Sequence, residues 1–333
     1  MKAKALNFII LGVCLAIALA LVLLTSVQCV QGRQNKQPNE TPLEKIPFDG
    51  ALAFRYIEEL CAIGPRPSGS PGMKAQQEYL EAHFKPLCDT VEYQRFQFPH
   101  PDKRGEKVLG ANMIFRWMPE RQERILLCAH YDTLPVPHLD PPHLKRPFVG
   151  AEDNAGGVAI LMTLAKDLRR ILETTQTRYG VDVVLFDAEE FMYRPHGRFC
   201  WGSEFFGRQY AAQTTQTRGY FYRCGVLLDL VTQKDLVLLK EKNSYSQRET
   251  RVVVNEIWET ARRLGVKEFR HRVGREIVDD HIYLYHYGGI HVADVIDLDY
   301  EYWHTSEDTP DKCSPLSAAR VGWVVSEWLK TKK

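Results

Sequence analysis

The sequence lacks the features that mark several common classes of protein. Its 43 lysine and arginine residues balance 42 aspartate and glutamate residues, so the formal net charge over 333 residues is only +1. It has no basic run with interleaved aromatic residues, which argues against a nucleic-acid partner. The eight cysteines include no CxxC pair, so a zinc site built from cysteine is not expected. No internal repeat or low-complexity segment interrupts the main part of the chain, which favours an ordinary globular protein.

Charge is also missing from one long stretch near the N-terminus. Lys2 and Lys4 precede a run without a charged residue, ALNFIILGVCLAIALALVLLTSV. Such a run reaches the roughly 17 to 25 residues needed to cross a bilayer, and it is longer than the apolar part of most cleaved signals. Residues 1–30 are therefore predicted to be a signal or anchor segment that directs export. The mature protein would be anchored in a membrane by an N-terminal helix, or secreted or periplasmic after cleavage.

A polar segment separates this apolar run from the rest of the chain. Residues 31–47, QGRQNKQPNETPLEKIP, contain three prolines and show no hydrophobic periodicity, which is typical of a disordered linker. The folded domain is expected to cover residues 48–333, a length that can bury one substantial core.

Apolar segments rich in β-branched residues predict the buried strands of this domain. They cover residues 124–130, 181–186, 224–230 and 290–296. Continuous apolar strands are typical of a sheet covered on both faces. Segments with helical spacing alternate with them, after Asp153, after Gly202, from Arg248 and from Pro315. The predicted fold is α/β, a three-layer α/β/α sandwich with a mostly parallel, mixed central sheet.

Acidic and histidine residues follow the ends of these strands. The set consists of His130, Asp132, Asp187, Glu189, Glu190, Asp229 and His304, with Asp153 at the start of a helix. Ligands of open α/β sheets bind beyond the carboxyl ends of the strands, so these side chains are expected to converge at one edge. Each has an ordinary explanation when taken singly, such as Asp153 capping a helix. Together, five or more carboxylates would repel one another unless a cation neutralised them.

The residue types at this edge favour zinc as the cation. Zinc accepts nitrogen and oxygen ligands and keeps an open position in catalytic sites. Glu189 and Glu190 are adjacent in the chain, so only one of them can easily reach the same ion. One glutamate is therefore expected to bind the metal, while the other acts as a general acid and base.

Six motifs connect these residues to a known family. They are CAHYDT, VGAEDNAGGVA, LFDAEEF, VLLDLV, VDDHIYL and YWHTSEDT, in this order. In them the chain resembles the zinc-dependent aminopeptidase family, and its glutaminyl cyclase branch most of all. The resemblance extends from about Phe48 to the C-terminus and implies that residues 48–333 form a zinc-dependent catalytic domain.

The resemblance implies a role for each residue of the central site. Asp153, Glu190 and His304 correspond to the zinc ligands that both branches of the family share. Glu189 corresponds to the general acid and base. The resemblance therefore implies that Glu190 binds the metal and that Glu189 transfers protons.

Other positions distinguish the two branches. His130 and Asp229 match residues that complete a second zinc site in the aminopeptidases, where Asp132 would orient His130. The cyclases usually hold one zinc ion, and their residues matching Asp229 and Asp279 hydrogen-bond with the catalytic glutamate. Val278 departs from the cyclase pattern, because a polar residue is expected at that position.

The resemblance implies an enzyme that acts on the N-termini of peptides or proteins. The leading expectation is a glutaminyl-peptide cyclotransferase that converts N-terminal glutamine to pyroglutamate and releases ammonia, with one zinc ion. The alternative is an aminopeptidase with two zinc ions that hydrolyses the first peptide bond. A third possibility is a non-catalytic ectodomain that keeps the fold for binding, but such relatives typically lose a ligand or the glutamate, and none is missing here.

Overall fold

A mixed sheet of six strands forms the centre of the computed structural model. The strands of this sheet and of a separate short pair are β1 (Thr90–Pro99), β2 (Lys107–Trp117), β3 (Glu123–His130), β4 (Gly180–Phe186), β5 (Phe221–Asp229), β6 (Leu238–Lys240), β7 (Phe269–Val273) and β8 (Val292–Ile296). The order in the sheet is β1-β2-β4-β3-β5-β8, and β6 pairs with β7. Strands β4, β3, β5 and β8 run parallel, whereas β1 and β2 are antiparallel to their neighbours. The predicted mostly parallel, mixed sheet is confirmed.

Helices cover both faces of the sheet. The α-helices are α1 (Gly50–Ala62), α2 (Pro71–Phe84), α3 (Gly157–Thr174), α4 (Trp201–Ala211), α5 (Thr215–Arg218), α6 (Lys242–Ser246), α7 (Arg248–Leu264), α8 (Asp280–Gly288) and α9 (Pro315–Lys330). Alternate residues of β3 belong to different cores. Ile125 and Leu127 pack in the main core with α1, α3, α7 and α9, whereas Leu126 packs with Phe206 of α4 and Leu284 of α8. The molecule therefore has three layers, as predicted.

The structure describes residues 41–141, 143–193 and 197–333. The predicted signal or anchor segment, residues 1–30, lies outside the described residues, as does most of the predicted linker. Ile46, two residues before the expected start of the domain at Phe48, is only 7% exposed and packs in the main core. Within the described ranges, no helix is both long enough and apolar enough to cross a membrane.

The two antiparallel strands were not among those predicted from apolar runs. In β1, buried residues appear only towards the end, where Phe96 and Phe98 alternate with exposed neighbours. This half-exposed pattern arises because β1 lies at the edge of the sheet, and a search for continuous apolar segments does not detect such a strand.

Candidate active site

The carboxyl ends of neighbouring parallel strands bring the first predicted residues together. His130 ends β3 and Asp229 ends β5, and Nε2 of His130 lies 3.4 Å from Oδ1 of Asp229. Asp153 belongs to the distorted helical turn Ala151–Gly156 that precedes α3. Its Oδ1 lies 3.0 Å from the same histidine nitrogen. These three side chains therefore meet at one edge of the sheet, as expected.

A second histidine approaches Asp153 from the other side. Nε2 of His304 lies 2.6 Å from Oε1 of Glu190 and 3.5 Å from Oδ2 of Asp153. Asp153 thus directs one oxygen towards His130 and the other towards His304. The carboxylate of Asp153 therefore lies between the imidazoles of His130 and His304.

The chemistry of this cluster fits a zinc ion. Both ring nitrogens of His130, and one carboxylate oxygen each of Asp153, Glu190 and Asp229, are buried without a partner in hydrogen-bonding geometry among the described residues. Leaving a buried polar group unpaired costs about 1–3 kcal/mol. Ligand atoms from His130, Asp153 and Glu190 lie within 4.8 Å of one another, and imidazole and carboxylate are both zinc ligands. A bound cation would satisfy these atoms and offset the repulsion between the carboxylates.

Burial and neighbouring charges both shift the pKa values of the cluster. The carboxylates around His130 raise its pKa well above the usual value against the effect of burial. Burial, together with the charge of Asp153, raises the pKa of Glu190 well above its usual value. Burial raises the pKa of Asp229 to about 6. In contrast, burial lowers the pKa of His304 to about 3, so its imidazole is neutral in the physiological range. A neutral imidazole is the form that binds a metal.

Glu189 faces a different set of groups from Glu190. Its carboxylate, the thiol of Cys200 and the carboxylate of Asp279 lie within 4.8 Å of one another. Cys200, a buried free cysteine, donates a hydrogen bond from Sγ to Oε1 of Glu189 at 3.2 Å. Burial raises the pKa of Glu189 well above its usual value. A raised pKa suits a group that must accept and then release a proton near neutral pH.

Asp132 holds the backbone of the glutamate pair. Its carboxylate accepts hydrogen bonds from the backbone N–H groups of Glu189 and Glu190, both at 3.0 Å. The preceding residue, Ala188, has a positive φ of 58°, a conformation that needs support from its surroundings. The nearest oxygen of Asp132 lies 3.6 Å from Nδ1 of His130, which is too long for a hydrogen bond. Asp132 therefore fixes the loop after β4, and its role in orienting His130 stays a prediction.

Asp308 holds the turn that carries Asp153, and it was not identified from the sequence. It accepts hydrogen bonds from the N–H groups of Glu152 at 2.9 Å and Asp153 at 3.1 Å. The hydroxyl of Tyr300 donates to it at 2.7 Å. The only signal in the sequence was its place in the motif YWHTSEDT, which does not reveal a contact with a distant turn.

A further buried group, also not identified from the sequence, supports the segment that leads to Asp279. Glu241 accepts hydrogen bonds from the N–H groups of Ser244 at 2.6 Å and Ile277 at 3.0 Å. Nε2 of His281 lies 3.2 Å from the same carboxylate. The carboxylate of Glu241 therefore fixes the start of α8, and with it the position of Asp279 near Glu189.

An open cleft lies over the two glutamates. It encloses about 610 Å³ including its mouth, and its apolar lining consists of Phe199, Ile277, Val278, Ile296, Leu298 and Trp303. The ring of Trp303 stacks on that of His304, with their centroids 3.7 Å apart. The cleft can therefore hold a substrate group against apolar walls, with the carboxylate cluster at its floor.

The motif order and this geometry agree with a comparison against known families. The profile of Peptidase family M28 matches residues 112–329. The chain belongs to this family. As an M28 protein it carries the predicted metal-ligand set, His130, Asp153, Glu190, Asp229 and His304, at one edge of the sheet.

Relatives of this M28 protein include cyclases and exopeptidases. Bovine glutaminyl-peptide cyclotransferase is 24% identical over 195 residues, a match that covers 56% of this chain and about half, 53%, of the bovine protein. The solved glutaminyl cyclase of Fimbriiglobus ruber is 36% identical, with a TM-score of 0.80 over 90% of this chain and 100% of that one. A Zn-dependent exopeptidase of Parabacteroides distasonis is 27% identical, with a TM-score of 0.77 over 86% and 100%.

Proposed function

We propose that this M28 protein is a zinc-dependent glutaminyl-peptide cyclotransferase. It would convert the N-terminal glutamine of a peptide or protein to pyroglutamate and release ammonia. The observation that carries the proposal is the position of Asp279 beside Glu189, in the same cleft as the shared ligands. The similarity to the Fimbriiglobus ruber glutaminyl cyclase over 90% of the chain supports it.

The shared ligands define where the metal would lie. Asp153, Glu190 and His304 would hold one zinc ion, which when bound supplies polarisation of the side-chain carbonyl of the substrate glutamine. The buried unpartnered oxygens of Asp153 and Glu190 support this assignment.

Glu189 would move the protons. The α-amine of the substrate attacks Cδ of its own glutamine side chain, and Glu189 accepts the proton that the amine loses. Glu189 then donates this proton to the amide nitrogen, the bond between Cδ and that nitrogen breaks, and ammonia leaves. No water molecule is consumed in this reaction.

Asp279 and Cys200 would hold the carboxylate of Glu189 during these transfers. Burial raises the pKa of Asp279 to about 7, so near that pH it can share a proton with the neighbouring glutamate. The thiol of Cys200 already donates to Oε1 of Glu189. The thiol contact restricts the orientation of the carboxylate, and a shared proton with Asp279 would restrict it further.

The second candidate function is an aminopeptidase or other exopeptidase. Two observations favour it. One is the similarity to the Parabacteroides distasonis Zn-dependent exopeptidase. The other is the presence of all five predicted ligands, His130, Asp153, Glu190, Asp229 and His304. In that case His130 and Asp229 would complete a second zinc site with Asp153. Glu189 would then activate a water molecule for attack on the first peptide bond.

One assay separates these functions. The purified protein is incubated with zinc and a glutaminyl peptide, and separately with aminoacyl amides, while ammonia and free amino acid are measured independently. A cyclase releases ammonia from the glutaminyl peptide and leaves the number of residues unchanged. Free amino acid as the main product, without a pyroglutamyl peptide, would assign the site to an aminopeptidase.

We also propose that residues 1–30 direct export and keep the enzyme at a membrane. The proposal rests on the long uncharged run after Lys2 and Lys4. Fractionation of expressing cells should place the full-length chain in the membrane fraction. Recovery of the intact chain from the cytoplasmic fraction would refute it.

A further inference from the structure

The loop between β3 and α3 is bonded to the segment that carries His304. Nε2 of His138 lies 3.0 Å from Nδ1 of His304. The N–H of Leu139 donates to the carbonyl oxygen of His304 at 3.3 Å. Oδ1 of Asp140 accepts from the N–H of Ser306 at 3.1 Å. Three consecutive residues of one loop therefore contact the turn around His304.

The proposed zinc site determines which nitrogen of His304 carries a proton. Nε2 faces Glu190 at 2.6 Å and Asp153 at 3.5 Å, so Nε2 is the nitrogen that would bind the metal. A neutral imidazole that binds through Nε2 carries its proton on Nδ1. That N–H requires an acceptor, and the atom at hydrogen-bonding distance is Nε2 of His138.

We propose that His138 is a positioning residue for the zinc site, which accepts the Nδ1–H of His304 and thereby fixes the tautomer and orientation of that ligand. The inference rests on the proposed assignment of His304 as a zinc ligand. Partners of this kind on a metal-bound histidine typically contribute 10- to 100-fold in metal affinity, as an order of magnitude. His138 lies outside the six motifs of the resemblance, and the basis for its role is the contact with His304.

The arrangement of the rings supports a directed hydrogen bond. The rings of His138 and His304 are nearly perpendicular, at 79°, with their centroids 4.6 Å apart. Trp303 stacks on His304 at 23°. His304 is thus held by a face contact with one neighbour and an edge contact with the other, which leaves its Nε2 directed at the carboxylates.

The backbone of His304 also needs the support of this loop. His304 has a positive φ of 57°, a conformation that non-glycine residues adopt at a cost and that surrounding contacts must maintain. The N–H of Leu139 donates to the carbonyl of His304, and Asp140 accepts from the N–H of Ser306, so the loop fixes the two peptide groups that follow this residue. His138 therefore holds the side chain of His304, while Leu139 and Asp140 hold the main chain at and after His304.

For this role, the side chain at position 138 needs only to accept a hydrogen bond from Nδ1–H of His304. The opposite tautomer, with a proton on Nε2 of His138, would shift the His304 proton to Nε2 and block the metal. A neutral His138 that accepts at Nε2 carries its own proton on Nδ1, an atom without a partner among the described residues, so only the acceptor atom contributes to the contact with His304. A glutamine side chain, whose carbonyl oxygen can accept in place of Nε2, should therefore replace the histidine.

The test is the zinc dissociation constant, measured by competition with a chromogenic chelator. The full chain is compared with His138→Ala, His138→Gln and the control His143→Ala, an exposed histidine of the same loop. The thermal midpoint of each zinc-free form shows that it is folded. Zinc should bind about 10- to 100-fold more weakly to His138→Ala, while His138→Gln and His143→Ala should match the unaltered protein.

Two results would overturn the inference. His138→Ala could bind zinc as tightly as the unaltered protein, or His138→Gln could be as weak as His138→Ala, in which case the acceptor has no role. If the unaltered protein itself fails to bind zinc, the proposed metal site is wrong, and that outcome is distinct from an effect confined to the variants.

Discussion

Nε2 of His304 lies 2.6 Å from Oε1 of Glu190, although 114 positions separate the two residues in the chain. Glu190 follows β4, and His304 lies in the turn beyond β8. The two strands are not neighbours, because β3 and β5 lie between them. The contact therefore depends on loops that converge over the edge of the sheet, and it brings together two of the proposed zinc ligands.

Replacing Glu189 by glutamine should abolish proton transfer without removing the metal. The amide cannot accept and return a proton, so kcat for the glutaminyl peptide should fall by about 100-fold or more, the usual contribution of a positioned acid and base. KM should change less than kcat, because the amide oxygen of glutamine can still accept a hydrogen bond from the substrate amine but cannot take its proton. Steady-state kinetics measure both constants, and an unchanged kcat would show that another group moves the proton.

Replacing Asp132 by asparagine should disturb both glutamates at once. Each of its carboxylate oxygens accepts one backbone N–H, and an amide can accept only one of them. The unpaired N–H should cost about 1–3 kcal/mol of stability, and both zinc affinity and kcat should fall. Thermal unfolding measures the loss of stability, zinc titration measures the affinity, and steady-state kinetics measure kcat. A variant with unchanged zinc affinity and kcat would contradict the role of Asp132 in holding the loop.

Asp187 should behave differently from the glutamates that follow it. It is buried and accepts hydrogen bonds from the hydroxyl of Ser68 at 2.6 Å and the N–H of Ala111 at 2.8 Å. Asp187→Asn should therefore lower stability by about 1–3 kcal/mol while keeping zinc and most turnover. Metal content and thermal unfolding test this, and loss of zinc from a folded Asp187→Asn protein would show that the residue belongs to the metal site.

The stability of the zinc-free protein should fall as the pH rises from about 6.5 to 8.5. Burial raises the pKa of Asp279 to about 7 and that of Asp280 to about 8, whereas an unfolded aspartate titrates near 3.9. The folded state therefore holds more protons in this range, and it loses stability as they dissociate. His304 has the opposite effect. Its pKa is lowered to about 3 in the folded state, so it lowers stability only below about pH 6.5, where the imidazole of the unfolded chain takes up a proton.

Thermal midpoints in the presence of a chelator measure this dependence. Added zinc should raise the midpoint more at the alkaline end of the range, because metal binding requires deprotonated ligands. A midpoint of the zinc-free protein that rises between these pH values would contradict the protonated state assigned to the buried carboxylates.

The parts of the fold and site that follow from local patterns could be predicted from the sequence. The four buried strands have continuous apolar runs. The helix expected from Pro315 is α9, and Ser314 caps it by accepting from the N–H groups of Leu316 and Ser317. Because parallel strands end at one edge, the convergence of His130 and Asp229 also followed from their positions after strands.

The contacts that hold the site could not be predicted in the same way. His138 lies in a loop without periodicity, and its contact with His304 spans 166 positions. Cys200 approaches Glu189 because it precedes α4, whose position depends on packing against α8. Such contacts are set by how loops fold over the sheet, and a linear pattern does not record them.

The measurement that tests the central claim most directly is the zinc content of Glu189→Gln and Glu190→Gln, determined side by side on folded protein. A neutral amide is a poor substitute for a carboxylate ligand, so Glu190→Gln should lose zinc on dialysis. Glu189→Gln should keep as much zinc as the unaltered protein while losing turnover. If Glu189→Gln loses zinc and Glu190→Gln keeps it, the roles of the pair are reversed, and if both variants keep zinc and activity, the site lies elsewhere.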